Sequence, residues 1–357
     1  MLDSDELLEL HTQFRAEMQN VDIAKKIAPK RDLVEFVRVR FWYEGVRKRS
    51  KLNTAYALEQ HFEPESFRRR AANDKPSYPC KWKKYEIGLR TPQPRLLERV
   101  NSLLPGSLQE LRHPLWDVLK LKPNRSTLSE IFLQRLNPEV LVVLFKHADD
   151  MEVPFERAKV TSAIITKLKK IANLDALAAL VWLLYEALYN QNQKRGEDLT
   201  RSIYDILLMR SIWWEERKLA APLLTLFTQR ILSKGTPPHL VFEMSAQEIV
   251  DASAALNLMV HINQGSIRIG LSWHQRVSIM LKLLNGRRAL PGLAPFDVKF
   301  AFAPIYVPDP NDVTTPKVLL DDLQSQEKRR QLAWDNILPD KTTLCPTVEM
   351  EPPHQTS

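Results

Sequence analysis

Basic side chains are concentrated in one part of this chain. Between positions 25 and 99 there are 20 lysines and arginines against 9 aspartates and glutamates, which is a net charge of +11. The whole chain carries +8, so the remaining residues together carry −3. Clustered cations favour phosphate binding, because each neutralised phosphate releases condensed counterions. The alternative is a solvated surface whose charges only keep the protein in solution.

Ten cations in this part of the chain are candidates for contacts with DNA. They are Arg47, Lys48, Arg49, Arg68, Arg69, Arg70, Lys81, Lys83, Lys84 and Arg90. An arginine in the major groove holds guanine by two hydrogen bonds, whereas a phosphate contact positions the protein without reading sequence. The three consecutive arginines point in different directions on a helix, so they cannot all face one groove.

Side chains that usually carry catalysis or bind metals are scattered along the chain. There is no Gly-rich phosphate loop, no His-Glu-x-x-His and no paired-cysteine spacing. Arg268 and His274 have a spacing that resembles the Arg/His motif of HEPN-type ribonucleases, but the residues between them favour a turn where that motif has a helix. His147 with Asp149 and Asp150 lacks the second acidic cluster of a metal-dependent nuclease. The sequence favours a binding protein over an enzyme and predicts no cofactor and no metal.

The stretch from Cys80 to Leu104 predicts two short helices joined by a tight turn. Trp82 and Tyr85 are three residues apart and share one helix face, which leaves the lysines on the other side. Gly88 stands where a left-handed residue ends a helix, and Pro94 suits the first turn of the next one. Two short helices with a basic rim are the plan of a helix-turn-helix DNA reader.

The order of residues in this stretch also resembles a known family. The pattern Tyr85-Glu86-x-Gly88-x-Arg90-x-Pro92, followed by two leucines, is similar to the recognition helix and next helix of the Cro/CI lambda-repressor-like family. The resemblance covers about residues 80–104 and implies a helix-turn-helix module that binds DNA.

The chain departs from that family upstream of the motif. The best candidate for the preceding helix, Thr54 to Phe62, is separated from Trp82 by a long insert. A competing recognition helix, Glu65 to Asn73, follows the turn at Pro64. The sequence leaves open which of the two short helices enters a groove.

Composition and helix signals predict an all-α fold. Glycine occurs only nine times, against abundant leucine and alanine. The mixed apolar pattern from Lys30 to Lys51 is interpreted as a helix, and residues 127–290 as a helical bundle or short irregular solenoid. Within it we expect separate helices at Leu199–Met209 and Trp213–Leu232. Helix starts are predicted at Thr54, at Asn137-Pro138 and at two capping boxes, Thr127 with Glu130 and Ser245 with Glu248.

We expect four parts in the chain. They are an amphipathic N-terminal helix in residues 1–30, a basic helix-turn-helix-like module in 31–123, a helical domain in 124–307 and a Pro-rich tail with one short helix in 308–357. The apolar stripe of the first helix, including Leu7 and Phe14, needs a partner, either in the same chain or in a second subunit.

The chain carries no sign of export or of a membrane span. Its two cysteines, Cys80 and Cys345, are too few and too far apart for a disulfide framework, which fits a reducing cytosol. The first residues lack the basic start of a secretory signal. The most apolar run, Ala176 to Tyr189, is shorter than the roughly 20 residues that span a bilayer. We therefore predict a cytoplasmic protein that does not enter membranes.

The predicted function is DNA binding by the helix-turn-helix-like module, as a transcription regulator or accessory factor. The helical domain would provide a homodimer contact or bind a helical protein partner. The alternative is an effector or adaptor of a bacterial defence or mobile-element system, in which the helical domain acts through protein partners. The size of residues 127–357 motivates this alternative, because it exceeds what dimerisation requires.

Overall fold

The computed structural model describes most of the chain in ten stretches. They are residues 4–19, 31–67, 81–121, 128–146, 156–237, 239–263, 266–267, 270–286, 291–303 and 314–337. Regular structure in these stretches is almost entirely helical, with strands of only two or three residues. The predicted all-α class is therefore confirmed.

The described helices and strands follow one another in this order. The helices are α1 (Ser4–Gln19), α2 (Leu33–Ser50), α3 (Ala55–Phe62), α4 (Lys81–Glu86), α5 (Pro94–Leu103), α6 (Ser107–Leu111), α7 (Pro114–Lys120), α8 (Pro138–Leu144), α9 (Ser162–Ile171), α10 (Leu174–Tyr189), α11 (Gln193–Glu215), α12 (Ala220–Arg230), α13 (Ala246–His261), α14 (Trp273–Gly286) and α15 (Thr314–Ile337). Short 3₁₀ segments are Pro64–Phe67, Glu130–Arg135, Leu232–Lys234 and Pro291–Phe296. Strand β1 (Leu240–Phe242) pairs antiparallel with β4 (Phe300–Phe302), and β2 (Ile262–Asn263) with β3 (Ser266–Ile267).

The larger of two hydrophobic clusters, called the main core here, surrounds α10, α11 and α13. It contains buried apolar residues from Leu7 to Phe296. Helix α10 is apolar on nearly its whole circumference, and 11 of its 16 residues are buried. Such a helix must be covered on every side. Helix α11 packs against α10 and α13, while α7, α9, α12 and α14 cover the remaining faces.

A second cluster, called the aromatic core here, is enclosed by α2 to α6. Its members are Val39, Trp42, Tyr43, Val46, Ala55, Leu58, Phe62, Trp82, Tyr85, Leu96, Leu97, Val100 and Leu111. Trp82 is its centre, because its ring lies within 6.5 Å of the rings of Trp42, Tyr43, Phe62 and Tyr85. The cluster positions α4 and the turn that follows it.

Helix α2 lies between the two cores. Val37 and Phe41 are buried in the main core, whereas Val39 and Trp42 are buried in the aromatic core. In sequence these residues fit both a strand and a helix, because a helix covered on both sides carries apolar residues at every spacing. The interpretation of this stretch as a helix is confirmed.

Three of the predicted helix starts are confirmed, and the fourth, at Thr127, lies outside the described residues. Thr54 Oγ1 accepts a bond from the N–H of Ala57, and Asn137 caps α8. The N–H of Glu248 donates to Ser245 Oγ at 3.1 Å, and the N–H of Ser245 donates to Glu248 Oε2 at 2.8 Å. These reciprocal bonds are the predicted capping box.

The prediction of separate helices at Leu199–Met209 and Trp213–Leu232 was wrong. Helix α11 continues through this region, and the break comes later, where Lys218 has a φ of 51°. Ser211 lies within this helix, and its hydroxyl donates to the carbonyl of Leu207, one turn earlier.

The first helix finds its partner within the chain. Helix α1 packs on α13 and α11 and buries Leu7 and Phe14. His11 Nε2 lies 2.7 Å from Asp251 Oδ1, and Arg15 Nη2 donates to Asp251 Oδ2 at 3.1 Å. Of the two partners that the sequence left open, the structure shows the intramolecular one.

None of the described helices has an apolar stretch long enough to cross a bilayer.

Candidate nucleic-acid interface

Helix α4 presents lysines outward because its aromatic face is fixed inward. Trp82 and Tyr85 are buried, while Lys81 and Lys83 are exposed and Lys84 is half-buried. The Trp82 indole N–H donates to a glutamate of the preceding loop. The predicted division of this helix into a packed face and a cationic face is confirmed.

A glycine-dependent turn follows α4 and presents Arg90. Gly88 has a φ of 67°, and a Cβ atom there would lie 2.7 Å from the Phe36 side chain. The N–H of Leu89 donates to the carbonyl of Lys84 at 2.8 Å, which closes the helix end. Arg90 is exposed beyond this turn, so it can reach a ligand that contacts the lysines of α4.

Two further arginines lie near this turn, although the sequence did not single them out. Arg31 Nη2 donates to Thr91 Oγ1 at 2.8 Å, and Arg95 is exposed in the first turn of α5. The bond from Arg31 joins residues 60 positions apart. No local pattern could have predicted it.

The cations of α4 have nearby carboxylates. Lys81 Nζ lies 3.2 Å from Glu63 Oε1, and Lys83 Nζ lies 2.6 Å from Glu86 Oε2. Both lysines remain about half exposed in these pairs. Exposed pairs of this kind contribute only about 0–1 kcal/mol, so a phosphate could replace the carboxylates.

The basic run at the end of α2 is tied into the protein itself. Arg47 pairs with Glu44 at 2.6 Å, and Lys48 pairs with Glu216 after α11. Arg49 Nη2 donates to Glu110 Oε2 at 2.9 Å. The bonds of Lys48 and Arg49 join α2 to the segment between α11 and α12 and to α6.

Glu110 can approach α2 closely because the helix has a glycine, Gly45, at the point of contact. A Cβ atom at Gly45 would lie 2.2 Å from Glu110 Oε2. The same carboxylate pairs with Arg217, whose guanidinium lies 4.1 Å from the ring centre of Phe41. A single glutamate therefore holds Arg49 and Arg217 and fixes one end of α2 against the main core.

The turn after α4 lies at the other end of α2 from the basic run of Arg47, Lys48 and Arg49. Gly88 contacts Phe36 near the start of α2, whereas Lys48 lies in its last turn. At 1.5 Å per residue, these positions are roughly 20 Å apart along the helix. Within the described part of the chain, the exposed cations of α4 and of its following turn form a candidate surface.

A buried carboxylate supports the start of α4. Glu59 of α3 is buried, and its Oε2 accepts a bond from the N–H of Trp82 at 3.5 Å. Burial raises the pKa of Glu59, and the nearby Glu63 raises it further. A negative charge at a helix start is favourable, but the burial of Glu59 works against its ionisation.

Several predicted site residues lie outside the described residues. They are Arg68, Arg69 and Arg70, together with Arg268, His147, Asp149 and Asp150. The competing helix at Glu65–Asn73 is described only at its start, where residues 64–67 form a 3₁₀ turn. His274 is exposed in the first turn of α14. Among the described residues, no three His, Cys, Asp or Glu side chains are grouped as metal ligands.

Comparisons of this chain with protein-family models, with curated proteins and with solved structures find no match.

Proposed function

We propose that this chain binds duplex DNA through the exposed cations of α4 and of the turn before α5. Lys81, Lys83 and Arg90 carry the proposal, because all three are exposed around one buried aromatic face. Arg95 extends this surface into α5. DNA binding of this kind fits a transcription regulator or an accessory factor.

The contacts are made mainly to phosphates. Helix α4 has six residues, a length of roughly 9 Å, and two of them are buried. It therefore offers few side chains to base edges in a groove. Lysines act as point charges toward phosphate and carry little sequence information. Binding is accordingly strong at low salt and weakly selective for sequence.

A salt titration with charge-reversal variants tests the proposal. Binding of a labelled 30-base-pair duplex is measured by fluorescence anisotropy between 50 and 300 mM NaCl. Lys83→Glu with Arg90→Glu weakens binding, and it lowers the slope of log affinity against log salt by about 2, one for each phosphate contact. Lys167→Glu with Lys170→Glu is the matched control, because both lysines are exposed on α9, away from this surface.

Two results would overturn the proposal. No duplex binding at 50 mM NaCl overturns the proposal. Binding that both double variants weaken equally indicates attraction to total charge, and it also overturns the proposed surface. Circular dichroism of each variant confirms that the helices remain folded.

A further inference from the structure

Two apolar side chains are exposed at the turn between α4 and α5. Ile87 and Leu89 are 42% and 39% exposed, whereas Gly88 between them is buried. The left-handed φ of 67° explains the glycine, but it places no demand on the residues at either side. Polar residues are the usual choice in surface turns. The apolar pair is therefore not required by the backbone of the turn.

The backbone holds this apolar pair in a fixed position. The N–H of Leu89 donates to the carbonyl of Lys84 at 2.8 Å, and the N–H of Gly88 donates to the carbonyl of Tyr85 at 2.9 Å. Behind the turn, Gly88 lies against the side chain of Phe36. A turn that is already ordered loses little conformational freedom when a partner binds. The exposed pair is thus well placed for a contact.

The charges around the apolar pair are predominantly positive. Between positions 81 and 95 the chain has five cations and one carboxylate. That carboxylate, Glu86, pairs with Lys83, whose side chain stays 57% exposed. Glu63 of the preceding loop pairs with Lys81, and Arg31 adds a cation by its bond to the turn. Six cations against two partly exposed carboxylates favour an anionic partner.

A partner that covers this turn contacts its apolar pair as well as its cations. In duplex DNA the C5-methyl groups of thymine are apolar groups of this kind, and they lie in the major groove. A bilayer with anionic lipids also combines negative charge with apolar groups. However, two partly exposed side chains bury less apolar surface than one acyl chain, which by itself binds a membrane only weakly. The small apolar area therefore favours DNA.

We infer that the turn enters the major groove of DNA, where Ile87 and Leu89 contact thymine methyl groups. The groove is about 12 Å wide and admits the end of a helix with its side chains. The cations beside the pair contact the phosphates at the edges of the groove. These contacts give a modest preference for A·T pairs without hydrogen bonds to bases. This inference rests on the proposed DNA binding and adds base contacts to its phosphate contacts.

Duplexes that differ only in thymine methyl groups test the inference on the full chain. A labelled 30-base-pair duplex of A·T pairs is compared with the same duplex in which uracil replaces thymine. Uracil pairs with adenine in the same way but lacks the C5-methyl group. The protein should bind the thymine duplex tighter, by about fourfold for each methyl group that it buries. The slope of log affinity against log salt should be equal for both duplexes, because the phosphate contacts are unchanged.

A double variant assigns the preference to the turn. Ile87→Ser with Leu89→Ser should bind the two duplexes with nearly equal affinity. Leu103→Ser is the matched control and should keep the preference, because this leucine is 53% exposed at the far end of α5. Comparing the ratio of the two affinities between proteins removes any effect of duplex shape. Circular dichroism confirms that the variants are folded.

The outcomes separate this inference from the proposed function. Absence of binding to either duplex overturns both. Equal affinity of the parent for the two duplexes overturns the inference alone, and so does a thymine preference that persists in the double variant. Binding to vesicles of phosphatidylserine and phosphatidylcholine that is lost in the double variant, with duplex affinities unchanged, would also overturn it, since the partner of the apolar pair would then be a lipid.

Discussion

Two exposed arginines beside the aromatic core contrast with three arginines that pack on tryptophan rings of the main core. Beside the aromatic core, Arg90 and Arg95 extend from the surface into solvent. In the main core, arginines lie over tryptophan rings instead. The guanidinium carbons of Arg157, Arg210 and Arg276 are 4.7, 5.1 and 4.9 Å from the centres of tryptophan rings.

The arginines near the main core also use their charge inside the protein. Arg157 makes two bonds to Glu186, and Arg210 donates to the carbonyl of Ala172 at the end of α9. Burial lowers the pKa of Arg210 to about 10, which still leaves it charged at neutral pH. These arginines are thus held by other groups of the protein, whereas Arg90 and Arg95 are exposed at the surface. The two regions differ in this respect, and four experiments test the difference.

The largest expected effect concerns the aromatic core. Trp82→Ala should lower the free energy of unfolding by about 3–5 kcal/mol, because it removes the ring at the centre of the cluster. Urea unfolding followed by circular dichroism measures this loss. Tyr56→Ala is the control, since that ring is 51% exposed, and it should change stability by no more than about 0.5 kcal/mol. Equal effects would mean that α4 is not held by a packed core.

The second experiment tests the internal use of charge in the main core. Glu186→Gln weakens two charged hydrogen bonds to Arg157, whose side chain is only 14% exposed. It should cost about 1–3 kcal/mol in urea unfolding. Glu156→Gln is the matched control, because Glu156 pairs with Lys146 at the surface. If Glu156→Gln lowers the free energy of unfolding as much as Glu186→Gln does, the Arg157–Glu186 pair contributes no more than an exposed surface pair.

The third experiment compares two carboxylates with opposite pKa shifts. Burial raises the pKa of Asp251, but bonds from His11 and Arg15 outweigh it and hold this pKa below its ordinary value. The pKa of Glu59 is raised. Asp251 therefore stabilises the fold at pH values above its ordinary pKa of about 3.9, and this contribution is lost as the pH falls. Glu59 binds its proton more tightly in the folded state. Its contribution to the free energy of unfolding therefore decreases as the pH rises above its ordinary pKa of about 4.3.

Free energies of unfolding measured from pH 3 to pH 7 distinguish these two opposite pH dependences. Asp251→Asn should be less stable than the parent at pH 7, and the difference should shrink below about pH 4. Glu59→Gln should gain stability relative to the parent as pH rises from 4 to 7. Each trend is bounded by about 1.4 kcal/mol per pH unit for one group. Trends of the same sign in both variants would contradict the assigned shifts.

The smallest expected effect is at the exposed end of α2. Glu216→Gln removes the partner of Lys48, whose side chain is 56% exposed, and should cost about 0.2–1 kcal/mol at low salt. The loss should disappear in 1 M NaCl, where exposed charges are screened. A double-mutant cycle with Lys48→Gln measures the pair itself. A coupling that persists at high salt would place this contact among the buried pairs.

Much of the local structure was predictable from the sequence. The caps at Thr54, Asn137 and Ser245, the left-handed turn at Gly88 and the buried face of Trp82 follow from neighbouring residues. Such features depend on spacings of at most a few positions, which the sequence displays directly. The length of α11 was mispredicted because the residues around Ser211 are held in the helix by burial against other elements, which local spacing does not display.

What the cations do was decided only by the tertiary structure. The sequence places Lys48 and Arg49 in the same basic stretch as Lys83 and Arg90, with the same apparent role. Folding brings Glu216 to Lys48 across 168 positions and Glu110 to Arg49 across 61, while Arg90 stays exposed. Local pattern determines which helix face a side chain occupies. Some partners are local, such as Glu86 for Lys83. Partners from distant elements, such as Glu216 for Lys48, depend on which element packs beside the helix, and no local spacing encodes that choice.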